Sequence, residues 1–314
     1  MNQISRRRLC AALTIGGAWT ALPAFGQQKL KVVASFSIVA DFVATVGGER
    51  IELATLVGPD KDAHTYQPTA GDSRTVAGAQ VLVTNGLGFE SWADRLAGAA
   101  PFKGRRIVAT SAVPRERHLA DHGHSHGHGH GHSHGKPGGS DPHMWQDVAL
   151  ARRYVGAIAE GLAQADPASA DSFRQRAATY DKRLAELDAW VREQIATVPA
   201  AKRRVITGHD AFRYFARAYG VTFRAPQGLS TAQEASAKDV ATLIQQIRRE
   251  GIRAIFIENM SSPKLIEQIA REAGGVVGPT LYVDALSAPG GPADSYEKML
   301  RHNVTALVAG MAKN

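Results

Sequence analysis

At 314 residues the chain is long enough for two domains that each bury a core, and its 44% hydrophobic and 21% charged residues are ordinary for a globular protein. That composition excludes wholesale disorder and a fibrous repeat. The formal charge of +8 would suit a nucleic-acid or membrane-surface partner, but three of those charges are Arg6, Arg7 and Arg8, and no basic run with interleaved aromatics follows them. Nucleic acid is therefore not an expected partner.

Residues 1–26 have the layout of a cleaved export signal. A basic start is followed by an apolar stretch ending in the small-x-small triplet Ala24-Phe25-Gly26. Gly16, Gly17 and Pro23 interrupt that stretch, which makes it too short for a span of ~20 residues. Ser5-Arg6-Arg7-Arg8-Leu9 resembles a twin-arginine signal, with a general secretory signal as the alternative. Cys10 is the only cysteine and lies inside the signal. Arg8 and Leu9 stand where a lipoprotein cleavage box would need small residues. The expectation is a soluble periplasmic protein that is not a lipoprotein and has no disulfide.

From Lys29 the chain alternates short β-rich runs with helical patterns, as parallel α/β folds do. Strands are expected at Lys31–Ser35, Ile51–Val57, Val81–Asn85 and Arg106–Thr110, with a helix at Thr69–Gly78. A second series follows at Arg204–Thr207, Val221–Ala225, Ala254–Glu258 and Val276–Val283. Its helices are expected at Asp210–Tyr219, Ala237–Glu250, Pro263–Ala273 and Ala293–Ala312. Between the two series, Pro167–Pro199 is one uninterrupted helical pattern. Phe173, Ala177, Tyr180, Leu184, Leu187, Val191 and Ile195 form a single apolar stripe along it. Such a helix, ~42 Å long at 1.5 Å per residue, could run along both halves. The expected fold class is α/β, with two lobes that each hold a mainly parallel sheet flanked by helices and are bridged by one long rigid helix. The lobes would cover residues 27–166 and 200–314, with 167–199 as the link.

Residues 118–137, HLADHGHSHGHGHGHSHGKP, form a low-complexity insertion after a strand, with almost no apolar side chains to offset backbone ordering. His118, His122, His124, His126, His128, His130, His132 and His134 alternate there with Gly and Ser. They offer many imidazole nitrogens to borderline metals such as Zn²⁺, Cu²⁺ or Ni²⁺. Without a rigid cage, this run reads as an accessory metal-capture element.

Outside that run, and apart from His302 near the C-terminus, three histidines remain: His64, His143 and His209. Each follows an expected strand or lies in a connecting loop, in Asp62-Ala-His-Thr-Tyr-Gln-Pro68, Asp141-Pro-His-Met-Trp145 and Thr207-Gly-His-Asp210. Asp284 stands at the expected end of the last strand. Ligands of open α/β sheets bind at the carboxyl ends of strands, so both lobes would direct these groups into one interlobe cleft. Three imidazoles and one carboxylate form an N₃O set suited to Zn²⁺. Taken singly, each residue could be an ordinary turn or cap residue; the set together favours a metal. Asp62, Asp141 and Asp210 are expected to orient the imidazoles, with Tyr66 and Trp145 as further supports.

The three histidine segments, with Gly208-His-Asp-Ala-Phe-Arg-Tyr-Phe215, resemble the hallmark segments of the periplasmic zinc/manganese-binding components of ABC transporters. The resemblance covers nearly the whole mature chain, in order. It implies two α/β lobes joined by one long helix, with the metal between them. His64, His143 and His209 would be the histidine ligands, and Asp284 the carboxylate. Manganese members typically carry Glu at the third position, so His209 and the His-rich run point to zinc; Mn²⁺ is also accepted by some three-histidine members. The implied partners are an inner-membrane ABC permease with its cytoplasmic ATPase and, in some members, a periplasmic zinc metallochaperone. A monomer is expected. Two features depart from the family pattern: Gln233-Glu-Ala-Ser236 replaces a common Glu-Pro-Ser stretch, and the mature chain lacks the disulfide of some zinc members.

The competing readings are a manganese or mixed Zn/Mn carrier, a zinc hydrolase, and a metal buffer built on the His-rich run alone. A hydrolase needs an open coordination position and a general base. The chain has no His-Glu-x-x-His segment, and protein groups fill all four positions.

Overall fold

The computed structural model describes residues 28–120 and 139–314. The expected export signal and the histidines from His122 to His134 lie outside the described residues.

The first half is a four-stranded parallel sheet built from β1 (Leu30–Phe36), β2 (Ile51–Val57), β3 (Val81–Thr84) and β4 (Arg105–Val108), in the order β2-β1-β3-β4. Helices α1 (Ser37–Gly47), α2 (Ala70–Ala77) and α3 (Ser91–Ala99) make its connections. The second half repeats the pattern with β5 (Arg204–Ile206), β6 (Thr222–Arg224), β7 (Ala254–Ile255) and β8 (Val276–Val277), in the order β6-β5-β7-β8. Its helices are α6 (Arg213–Tyr219), α7 (Ala237–Glu250), α8 (Lys264–Ala273) and α9 (Tyr296–Met311). In each sheet the chain reverses its direction of travel beside the first strand. That point is where open α/β sheets leave a crevice at the strands' carboxyl ends.

Two helices lie between the halves, α4 (Val148–Ala165) and the 27-residue α5 (Ala170–Ala196). The buried positions of α5 are Phe173, Ala177, Tyr180, Leu184, Leu187, Val191 and Ile195, the stripe marked by its sequence period. It packs on α4 beside it, on α1 of the first half, and on α9 and α6 of the second. At 1.5 Å per residue it is about 40 Å long.

The interior departs from two independent cores. One continuous cluster runs from β1 and α1 through α4, α5 and α9 to Val205, Phe215 and Phe256 of the second half. The smaller cluster lies between the second sheet and its outer helices, with Ile206, Ile244, Ile247, Ile255 and Ile269 at its centre.

Some strands are shorter than the apolar runs suggest. The run from Val276 to Val283 is a strand only at Val276–Val277. Gly278 and Pro279 follow, and proline has no N–H to give to a ladder. Pairing resumes only as an isolated parallel bridge between Glu258 and Leu281. Asp284 therefore lies in an irregular segment beyond the sheet rather than at a strand end. Likewise β4 stops at Val108 and turns into a short 3-10 turn, Ala109–Ala112.

Candidate metal centre

Four side chains from separate segments meet between the lobes. His64 follows β2, His143 precedes α4, His209 follows β5, and Asp284 lies between β8 and α9. His143, His209 and Asp284 are fully buried, and the His64 side chain is 4% exposed. One potential ligand atom from each falls within 4.8 Å of the other three. His209 Nε2 lies 3.1 Å and His64 Nε2 3.3 Å from Asp284 Oδ2, and His143 Nε2 lies 3.7 Å from Asp284 Oδ1. His64 Nε2 and His143 Nε2 are 3.3 Å apart. A tetrahedron with metal bonds of about 2.0–2.1 Å has edges of about 3.3 Å.

His64 Nε2 and His143 Nε2 are within hydrogen-bond distance of each other, but the remaining atoms of the cluster are not so paired. His209 Nε2 and both Asp284 oxygens are buried and have no hydrogen-bond partner. Buried polar atoms are normally satisfied, so this cluster of orphans fits a shared cation. The electrostatics agree. Burial opposes a charged Asp284, but His209 and His143 outweigh it and hold the carboxyl well below its usual range. Burial also opposes a charged His209, but Glu258 and Asp284 outweigh it and hold this imidazole well above its ordinary value. His64 moves the other way, pushed down by burial against a smaller pull from Asp284.

Two carboxylates fix the rings from behind. Asp141 Oδ1 accepts from His143 Nδ1 and from the His143 backbone N–H, each at 2.9 Å. Glu258 Oε2 accepts from His209 Nδ1 at 2.7 Å, and its Oε1 from the backbone N–H groups of Gly208 and His209 at 2.8 and 3.1 Å. An ionised carboxylate only accepts, so in both pairs Nδ1 carries a proton and Nε2 is the nitrogen turned to the cleft, where a bound cation would take the place of any proton on it. A Cβ on Gly208 would sit 2.8 Å from Glu258 Oε2, so this close approach requires glycine.

The remaining expected residues have distinct places. Asp62 holds the His64 loop rather than its ring: Oδ1 accepts from the His64 backbone N–H at 2.8 Å. Its Oδ2 accepts from Thr65 and, across the cleft, from Thr231. Tyr66 donates to Asp72 at 2.8 Å and packs edge-on against Trp92. Trp145 lies 5.2 Å from His143, ring to ring, and donates from Nε1 to the Val283 carbonyl at 3.0 Å, beside Asp284. The carboxylate on His209 Nδ1 is Glu258 and not the adjacent Asp210, whose Oδ2 faces Arg213 Nε at 3.9 Å. His118 pairs through Nε2 with the Val113 carbonyl.

Phe89 was not foreseen either. It packs 4.5 Å from His64 and 5.8 Å from His143 and forms an apolar wall to the site. The turn before it has three successive left-handed residues, Gly86, Leu87 and Gly88. Leu87, with φ +57°, is the strained member of the three.

Comparison with known proteins decides the family. Residues 32–310 match the family described as ZnuA, zinc-uptake complex component A, periplasmic. This chain belongs to that family. The zinc-binding protein TroA of Treponema pallidum is 33% identical over 322 residues, covering 98% of this chain and 99% of that one. The manganese-binding lipoprotein MntA of Bacillus subtilis is 31% identical over 289 residues, covering 90% of each. The solved structure of the Treponema pallidum periplasmic zinc-binding protein TroA superposes with a TM-score of 0.82 at 32% identity, over 90% of this chain and 99% of that one. ZnuA-family proteins are solute-binding components of ABC transporters, not enzymes, and work with a permease and its ATPase. The three-histidine, one-carboxylate set fits Zn²⁺ and can also take Mn²⁺. Among the described residues, no helix is long and apolar enough to cross a membrane.

Proposed function

We propose that this protein captures Zn²⁺ in the periplasm, holds it with His64, His143, His209 and Asp284, and delivers it to an inner-membrane ABC permease for import. The observation that carries this reading is the buried, unpartnered set of His209 Nε2 and the two Asp284 oxygens, facing two further imidazole nitrogens. Zinc is favoured over manganese by the donor set. Mn²⁺ prefers oxygen ligands and a larger shell, whereas three imidazoles and one carboxylate in a dry pocket suit four-coordinate Zn²⁺. The manganese names of several relatives are the argument for a carrier that also takes Mn²⁺.

The histidines at 118–134 would raise the local zinc concentration as an accessory to the cleft. Neutral imidazole is the ligand, so this capacity should fade below about pH 6. Export by a cleaved signal over 1–26, without a lipid anchor, is supported by Arg8 and Leu9 ahead of Cys10. The lobes would be 27–166 and 200–314, linked through 167–199.

The test is competitive Zn²⁺ titration, with Mn²⁺ in parallel, on mature protein lacking residues 118–135. One tight zinc site that disappears in His64→Ala or His209→Ala is the expected result. No tight site in that protein would leave a buffer built on the His-rich run as the better account. Asp284→Ala should weaken retention while zinc still binds, because three imidazoles remain.

A further inference from the structure

Asp284 lies outside any helix or regular strand, since residues 278–287 hold only the single bridge of Leu281 to Glu258. The two residues that flank Asp284 are gripped by one side chain. Asn259 Oδ1 accepts from the Val283 backbone N–H at 3.3 Å, and Asn259 Nδ2 donates to the Ala285 carbonyl at 3.3 Å. The amide thus spans the backbone on both sides of Asp284 and fixes where its carboxylate points. Asn259 is itself tied to the same segment through its backbone N–H, which donates to Leu281 O at 2.9 Å. It directly follows Glu258, which orients His209.

The Asn259 amide has a further partner, which comes from the other lobe. Its Nδ2 donates to Asp60 Oδ1 at 2.8 Å. Asp60 lies in the loop after β2 and reaches across the seam twice more. Its backbone N–H donates to Leu286 O at 2.9 Å, and its Oδ2 accepts from Ala288 N–H at 3.3 Å. Asp60 makes these contacts from a left-handed backbone, φ +54°, and is one of only two non-glycine residues with positive φ among the described residues. Asp60 is exposed, whereas the Asp284 carboxylate is fully buried.

We infer that Asn259 is a positioning residue for Asp284 and that Asp60 pins it from the first lobe, so parting Asp60 from Asn259 frees the Asp284 carboxylate and speeds metal release. This rests on Asp284 being a metal ligand, as proposed above. The arrangement gives a small separation of the lobes a specific consequence. Three cross-lobe hydrogen bonds converge on one exposed residue; one of them ends on the amide that grips both neighbours of the buried carboxylate, and the other two end on Leu286 and Ala288 just beyond it. Wide hinge opening is not needed, and the shared core would resist it.

The test is the rate at which a fluorescent chelator removes zinc from the mature chain, measured by stopped flow. Asp60→Ala and Asn259→Ala should each release zinc about tenfold faster, the effect of losing one to two hydrogen bonds that position a ligand. Asp60→Asn keeps an acceptor for the Asn259 amide and should restore slow release. In an Asp284→Ala background, Asp60→Ala and Asn259→Ala should add no further acceleration; a purely structural role would add the same factor there. Unchanged release in Asp60→Ala, or an equal factor with and without Asp284, overturns the inference. If Asp284→Ala alone speeds release while Asp60→Ala and Asn259→Ala do not, the latch fails and the ligand assignment stands. If Asp284→Ala leaves release unchanged, both fail. Should Asn259→Ala not fold, Asp60→Ala, at an exposed loop position, carries the test alone.

Discussion

Glu258 and His209 form a buried pair with 2.7 Å between Oε2 and Nδ1, and the same carboxylate takes the backbone N–H groups of Gly208 and His209. The ring is therefore fixed at the side chain and at the main chain by one residue 49 positions away. Removing such a partner from a metal-binding imidazole commonly lowers metal affinity by about 10- to 100-fold. Glu258→Ala should do so and should also destabilise the metal-free protein, because two buried N–H groups lose their acceptor. Glu258→Gln retains an acceptor for Nδ1 and should lose less. Competitive zinc titration alongside thermal melting of the metal-free variants separates the two effects.

Gly208 offers an independent check on the same relationship. An added Cβ would meet Glu258 Oε2 at 2.8 Å and its carboxyl carbon at 3.0 Å. Gly208→Ala must therefore push the carboxylate away from His209 and should reproduce much of the affinity loss of Glu258→Ala. Affinity equal to the parent would show that the carboxylate has room to retreat while still holding the ring.

The two-lobed design was legible because its signals are local. The alternation of apolar runs with helical patterns, and the stripe of α5, depend on side-chain spacing that the fold preserves at every position. The four cleft residues could be read because each is a metal-binding type in a connecting loop or at the end of an apolar run. Glu258 carries that same signal, at the end of Ala254–Ile257, but spacing alone favours the adjacent Asp210 as the partner of His209. Nearness in sequence misled there: Asp210 faces Arg213 of the following helix, while the parallel β5–β7 connection brings Glu258 to the imidazole. Helix α1 falls between the first two strands, where the alternation predicts a helix, although Ile38, Val39, Val43, Thr45 and Val46 favour strands on propensity; burial against β1, β2, α4 and α5 overrides that preference. Phe89 was invisible because its role comes from a left-handed turn that no spacing rule describes.

Asp41, on α1, is a partly buried carboxyl with a cost. Burial pushes it up to about 6, only partly offset by the Tyr296 backbone N–H that donates to Oδ2 at 3.0 Å. The native state thus holds this proton more tightly than the unfolded chain does. Its contribution to stability is fullest below about pH 4 and is lost as pH rises to about 6, by up to about 3 kcal/mol. Asp41→Asn keeps the acceptor for Tyr296 and removes the charge. Its melting temperature should exceed the parent's by several degrees at pH 7.5, with the difference shrinking towards pH 4.5. A constant difference across that range would show that the carboxyl is not the titrating group.

The continuous core makes a prediction about cooperativity. Two lobes with separate interiors would melt in two steps. Here one apolar cluster runs from the first sheet through α4, α5 and α9 into the second half, and Leu184 lies in the middle of α5 with no exposed surface. Metal-free protein should therefore unfold in a single transition, with far-UV circular dichroism and tryptophan fluorescence superimposing, since Trp92 reports on the first half, Trp145 on its contact with Val283 at the cleft and Trp190 on the spine. Leu184→Ala leaves a cavity at the shared centre and should cost about 2–5 kcal/mol, lowering that one transition as a whole. If the two signals separate in the variant, the halves are coupled through Leu184 in particular. If they separate already in the parent, the outer cluster around Ile206, Ile247 and Ile255 is the part able to melt alone, because it does not share the spine's core.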